Sequence, residues 1–258
     1  MSGFELLGLA TAAAAGGAIN AVAGGGTLVT FPTLLVFGTP ATVANATSTL
    51  ALVIGTSGSI FGYRRHLHAV KRWLWYFVPV SLAGGLIGSL LLTRTSDKTF
   101  SKLVPFLILF ATVLFLGQSA LRRLAVSEEQ RHGRPARGGL WGMILLQFTV
   151  AVYGGYFGAG IGILMLAILG FIGLTHIHEM NALKTMLGSL INLVAALWFI
   201  IAGLIDWPKA GVMTCGALLG YYLGAHYSQR IPQPRVRQII TAIGFILSAI
   251  TFYEEFVK

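Results

Sequence analysis

Ala23-Gly24-Gly25-Gly26-Thr27 sits inside an apolar segment that runs from Phe4 to Phe37, with Pro32 close behind. Three contiguous glycines are costly in a helix interior, and a proline removes a backbone donor. The segment is too long for one ordinary membrane span. It suits two half-helices that meet near the glycines. In a bilayer, broken backbone is tolerated only where it is buried in protein or lines a cavity. This segment is therefore the predicted substrate site. A related stretch, Gly158-Ala159-Gly160-Ile161-Gly162, interrupts a second long apolar segment from Leu140 to Leu174.

Around these two stretches the composition fixes the class. The chain of 258 residues is 55% hydrophobic and 10% charged, whereas soluble domains carry about 25% charged residues. The fold class is an all-α polytopic membrane protein, with the lipid bilayer as its surroundings. A net charge of +10 would suit a nucleic-acid binder. The Lys and Arg residues, however, sit in short loops between apolar segments, the positive-inside pattern. No nucleic-acid partner is expected. One cysteine, Cys215, leaves no intrachain disulfide or thiolate cluster, and it is read as a packing residue. The first residues lack a basic n-region and a cleavage site, so they read as a membrane segment and not a signal peptide.

The chain divides into two homologous halves. Residues 1–121 form an N-terminal repeat, with a broken segment at 4–37 and spans at about 41–63, 77–93 and 103–121. Residues 122–139 form a basic cytoplasmic linker. Residues 140–258 form a C-terminal repeat, with a broken segment at 140–174 and spans at about 180–205, 210–227 and 239–256. The halves align without a gap at an offset of 136. Gly24 and Gly26 fall on Gly160 and Gly162, Asn45 and Thr49 on Asn181 and Thr185, and Gly84, Gly88 and Arg94 on Gly220, Gly224 and Arg230. Such halves are a hallmark of secondary transporters. If each broken segment re-enters, each half crosses an odd number of times and the repeats are inverted. If it crosses once, they are parallel. Charge barely separates the two; segment length favours inversion.

These residues resemble the sulfite exporter TauE/SafE family, also called the TSUP transporters. The resemblance rests on Ala23-Gly24-Gly25-Gly26-Thr27 with Pro32, and on Ala44-Asn45-Ala46-Thr47-Ser48-Thr49. In the second half it rests on Gly158–Gly162 and Asn181-Ala182-Leu183-Lys184-Thr185. It implies a multi-pass carrier of the bacterial inner membrane for a small anion: sulfite, a sulfonate such as sulfoacetate, thiosulfate or a related organic acid. The second half departs from the pattern, since Ile161 interrupts the glycines and Ile168 stands opposite Pro32.

The residues themselves also point to an anion. A broken helix presents free N–H groups and the positive end of a dipole. Gly24, Gly25, Gly26 and Thr27 would supply one such terminus, and Gly160, Ile161 and Gly162 the other. Asn45, Thr47, Ser48, Thr49, Asn181 and Thr185 would complete the shell. Lys184 is the cation within a predicted span, and an intramembrane ionisable group is a functional candidate by default. Asn20, Tyr156, His176 and Glu179 are candidates for gating or coupling. The first break, with contiguous glycines and Pro32, is expected to be the more unwound and the closer to the anion.

Each feature also has a structural reading. The glycines would allow tight helix crossing. Asn45 and Asn181 would serve as interhelical bonds or caps, and Lys184 would snorkel to the headgroups. Asn20 and Tyr156 would pack. His66 and His68 would belong to a solvated basic loop, and His176, His178 and Glu179 to a helix start rather than a metal site. Neither a metal nor a cofactor is expected. No nucleophile–base pair, paired carboxylates or P-loop occurs in the spans, which argues against an intramembrane enzyme or a primary pump. The alternative to a carrier is an anion channel or an assembly subunit in the membrane. The small-residue stretches at 84–89 and 216–224 fit packing within one chain or in a homodimer.

Overall fold

The computed structural model describes residues 1–22, 25–63, 70–132, 137–170, 177–227 and 233–256. Among these the chain forms ten helices and no strand. In the first half they are α1 (Gly3–Val22), α2 (Thr27–Val36), α3 (Ala41–Tyr63), α4 (Lys71–Arg94) and α5 (Asp97–His132). In the second they are α6 (Arg137–Tyr156), α7 (Ile161–Gly170), α8 (Ile177–Ile201), α9 (Trp207–Tyr227) and α10 (Gln233–Phe256). Among the described residues, four stretches are long and apolar enough to cross a membrane: Gly3–Ala21, Lys71–Arg94, Asp97–Gly117 and Glu179–Ile201. The helices α2 and α7 have 10 residues each, about 15 Å of rise, half the hydrocarbon thickness. Both long apolar segments are thus divided beside glycines, at Gly25 and Gly26 and at residues 157–160.

Small residues decide which helices touch. Gly216, Gly220 and Gly224 of α9 face the backbones of Ala10, Ala14 and Ala18 of α1. The two helices therefore run side by side in one direction. A Cβ added at any of the three glycines would collide with α1 backbone, so the close approach exists only because they carry no side chain. The repeat-equivalent pair repeats this packing: Gly84 of α4 faces Phe148 and Ala151 of α6, and Gly88 faces Val152 and Gly155. Each half thus lends its first helix to the fourth helix of the other half. Between halves, α3 also packs on α8, and α5 on α10.

The directions of the helices follow from named contacts. Phe37, just past α2, lies against Phe4, with ring centroids 6.1 Å apart, and against Gly8. So α2 doubles back along α1, and both meet at one end of the molecule, which we label the upper end. Asp97 at the start of α5 accepts from the Thr42 N–H and hydroxyl, each at 2.9 Å, so α3 and α5 also start there. The helix α9 starts there too, since Lys209 Nζ bonds the Phe37 carbonyl at 3.3 Å and the Thr39 hydroxyl at 2.9 Å. The Trp198 indole donates to Thr93 at 3.2 Å, so α4 and α8 both run towards the upper end. The helix α10 does the same, antiparallel to α5, through Ser248 Oγ donating to the Pro105 carbonyl at 3.0 Å and the Phe106–Phe252 ring pair.

Large apolar side chains such as Leu86, Phe106, Leu145, Leu197 and Leu219 stay exposed, as a lipid-facing surface requires. Trp75, Trp141 and Trp207 are exposed at helix starts, where aromatic belts lie. Cys215 departs from its expected packing role. It is exposed, in a shallow groove with Leu6, Ala10 and Leu219, because it sits one position off the Gly216–Gly220 face that α9 turns to α1.

Candidate functional site

The second break is built from residues whose backbone bonds can be followed one by one. The N–H groups of Phe157 and Gly158 both bond the Tyr153 carbonyl, at 2.9 and 3.2 Å. Ile161 N–H reaches the Gly158 carbonyl at 3.5 Å, and Ile163 N–H reaches Gly160 at 3.0 Å. Gly158 and Gly160 have φ of 81° and 78°, a left-handed backbone that favours glycine. The Tyr153 hydroxyl donates to the Ala159 carbonyl at 2.7 Å and so braces the turn from the last helical turn of α6. The N–H groups of Ala159, Gly160 and Gly162 have no partner among the described residues. Glycines that alternate hand in this way gather N–H groups into a concavity suited to anions.

Lys184 of α8 stands beside the start of α7. A Cβ built on Gly162 would lie 3.5 Å from Lys184 Cδ and 3.9 Å from Cε. The stem thus packs on the glycine. Among the described residues no hydrogen bond or ion pair reaches the ammonium. The Lys184 stem, the start of α7 and the free N–H groups of the break therefore share one region, and among the described residues no counter-charge pairs with the ammonium.

The first break is more self-contained. Gly25 and Gly26 are buried. A Cβ on Gly25 would strike the Phe115 ring, and one on Gly26 the Gly16 carbonyl. Gly26 N–H bonds Asn20 Oδ1 at 3.4 Å, and Asn20 Nδ2 donates to the Tyr221 hydroxyl of α9. Gly26 itself is right-handed, with φ −55°. Gly24 lies outside the described residues. Among the described residues of the two breaks, left-handed backbone occurs at Gly158 and Gly160; the expectation that the first break is the more unwound falls partly on residues 23 and 24, outside the described residues. Contiguous glycines permit a break, but the surrounding donors and acceptors decide its shape.

The polar cluster of α3 divides into different roles. Thr47 is fully buried and its hydroxyl accepts from Asp206 N–H at 3.1 Å, tying α3 to the α8–α9 turn. Ser48 meets Thr30 of α2 at 2.6 Å. The Thr49 hydroxyl turns back to the Asn45 carbonyl at 2.8 Å. These three are the hydroxyls expected in the anion's shell, and each also makes a bond within the fold. Asn45 differs. It is 1% exposed and its Nδ2 donates at 3.0 Å to the carbonyl of Tyr156, the last residue of α6. Asn45 thus joins the first half to the second break.

The remaining candidates are more peripheral. Thr27 opens α2, partly buried, and Ile161 is buried at the start of α7. Asn181 and Thr185 are partly buried on α8, without a hydrogen bond among the described residues. Tyr156 packs its ring on Phe100, with centroids 5.6 Å apart. Glu179 is partly buried in the first turn of α8. His176, His66 and His68 lie outside the described residues. Among the described residues no group of three His, Cys, Asp or Glu side chains could hold a metal.

Sequence reasoning missed three residues. Tyr153 braces the second break. The Asn192 amide oxygen lies 3.6 Å from a Cβ built on Gly158. Lys209 gathers Glu5 at 3.1 Å, Asp206 at 3.8 Å, the Phe37 carbonyl and Thr39 at the upper end.

Comparison with known proteins gives the chain's relatives. The family model described as "Sulfite exporter TauE/SafE" matches residues 9–251. A "Probable membrane transporter protein" of Haemophilus influenzae is 29% identical over 241 residues, covering 92% of this chain and 90% of the relative. "Probable membrane transporter protein YfcA" of Escherichia coli K12 is 27% identical over 244 residues, covering 93% and 86%. "Probable membrane transporter protein ORF9" of Sinorhizobium sp is 25% identical over 248 residues, covering 95% and 92%. No solved structure matches significantly.

Proposed function

The chain belongs to the sulfite exporter TauE/SafE family and is a multi-pass membrane transporter, not an enzyme; from that premise we propose that it is a secondary carrier of a small anion, working by alternating access in the bacterial inner membrane. Sulfite, thiosulfate and sulfonates such as sulfoacetate are the leading substrate class. The observation that carries the reading is the second break. There the Lys184 ammonium has no counter-charge, and three free N–H groups stand within the same turn region. An unpaired charge in low dielectric is costly, and a bound anion removes that cost. The seat of the anion is thus the second break, with Lys184, Gly160 and Gly162 nearest to it and the first break opposing it.

We read the halves as inverted repeats. Support comes from direction: α1, α3, α5 and α9 start at the upper end, whereas α4, α6, α8 and α10 run towards it. The pairs α1 and α6, α3 and α8, α4 and α9, and α5 and α10 each oppose one another. Lys71 and Arg72 at the start of α4, with Arg122, Arg123 and Arg131 in the last part of α5, mark the lower end as cytoplasmic by the positive-inside rule.

Uptake of sulfite, thiosulfate, sulfoacetate, taurine and short carboxylates into proteoliposomes tests the function. Lys184→Met keeps the stem that packs on Gly162 and removes the charge. It should lower anion affinity at least about tenfold, the loss of one buried charge-assisted interaction, without lowering thermal stability. Unchanged affinity for every anion that the parent carries would reject this seat.

A further inference from the structure

We propose that Asn45 reads a hydrogen-bond donor carried by the transported anion, so that within the anion class proposed above a member bearing a hydroxyl, an ammonium or an acidic proton is preferred over its analogue without one. The proposal rests on the anion seat described above.

The inference begins from one orphaned atom. Asn45 is 1% exposed, and its Oδ1 has no hydrogen-bond partner. Its orientation is fixed by its neighbour: the Tyr156 carbonyl only accepts, so the amide must present Nδ2 to it. Turning the amide over would set two acceptors face to face and orphan Nδ2. The oxygen therefore stays free, at the C-terminal end of α6 where the break begins.

Among the described residues no donor reaches this oxygen. The Thr49 hydroxyl, one turn along α3, gives its proton to the Asn45 carbonyl. The free donors of the break lie on the α7 side, at Ala159, Gly160, Gly162 and Lys184. The site is thus bipolar. Donors for an oxyanion gather at the start of α7, and an unsatisfied acceptor stands at the end of α6. A buried acceptor left unpaired costs as much as a lost hydrogen bond. A substrate that fills the donor side and brings its own donor to Asn45 satisfies both ends. A site built to pair a substrate hydroxyl discriminates strongly against the analogue that lacks it.

Matched pairs of anions that differ by one donor test this. The purified full-length chain is titrated with isethionate against ethanesulfonate, and with glycolate against acetate. The donor-bearing member of each pair should bind about 5- to 150-fold more tightly, the range set by leaving a buried acceptor unpaired. Asn45→Leu removes the acceptor at similar volume, and the preference should collapse to within about twofold. Equal binding of both members of each pair to the parent protein overturns the proposal without any variant. A preference that survives Asn45→Leu overturns the assignment to Asn45. The anion seat fails on a different result: binding of all four probes that Lys184→Met leaves unchanged.

Discussion

Gly160 and Gly162 are neighbours with different obligations, although both belong to the same motif. A Cβ on Gly160 would meet nothing closer than 3.8 Å, so space does not require glycine there. Its φ of 78° does, and a left-handed residue with a side chain costs about 1–2 kcal/mol. Gly162 lies inside α7, with only ordinary contact to Lys184 at 3.5 Å. Alanine in a helix gains about 0.5–1 kcal/mol over glycine. Gly160→Ala should therefore lower the unfolding temperature and weaken anion binding, while Gly162→Ala should leave stability equal or higher. Thermal unfolding of both variants in detergent checks this; a larger loss at Gly162 would contradict it. The sequence marks both positions as glycine and so marks the break. It does not reveal which glycine carries the turn, because φ depends on where Tyr153 and the α6 carbonyls place their bonds. Asn45 likewise stands out by type and register, but the end it turns to the break depends on Tyr156, 111 positions away.

At the scale of elements, glycine spacing does more than hydropathy. Hydropathy locates long apolar stretches, and it leaves open whether the small-residue faces pack within one chain or between two. Within this chain they are filled. Gly216, Gly220 and Gly224 are occupied by α1, and Gly84 and Gly88 by α6. That exchange of first and fourth helices between halves was not legible, since the two glycine rows give spacing but no partner. Gly220→Leu should drive a side chain into the Ala14 backbone and abolish stable folding. Gly211→Leu, on the same helix with nothing within 4 Å of its Cβ, should leave folding intact. Size-exclusion profiles of the two variants check the pair. Comparable profiles would mean that α1 and α9 do not approach as closely as the glycines allow.

For the whole molecule, the open question in the sequence was whether the halves are inverted or parallel, and loop charge hardly separated the two. The features that support the proposed inversion are contacts distant in sequence. Phe37 returns to Phe4, and Lys209 returns to Glu5. Both place the end of α2 and the start of α9 beside the start of α1. Inversion then has a consequence that a parallel arrangement does not share. The turn between α4 and α5, at Ser96, and the turn between α8 and α9, at Ala202, should face the same side of the membrane. In a parallel arrangement each broken segment crosses once, and the same two turns face opposite sides. Ser96 and Ala202 are both exposed, so a cysteine at either is open to reagent. With Cys215 replaced by alanine, Ser96→Cys and Ala202→Cys should both react with a membrane-impermeant maleimide added to the periplasmic side of spheroplasts. Labelling of only one of them would establish parallel repeats. It would also remove the opposition of the two breaks on which a shared anion seat depends.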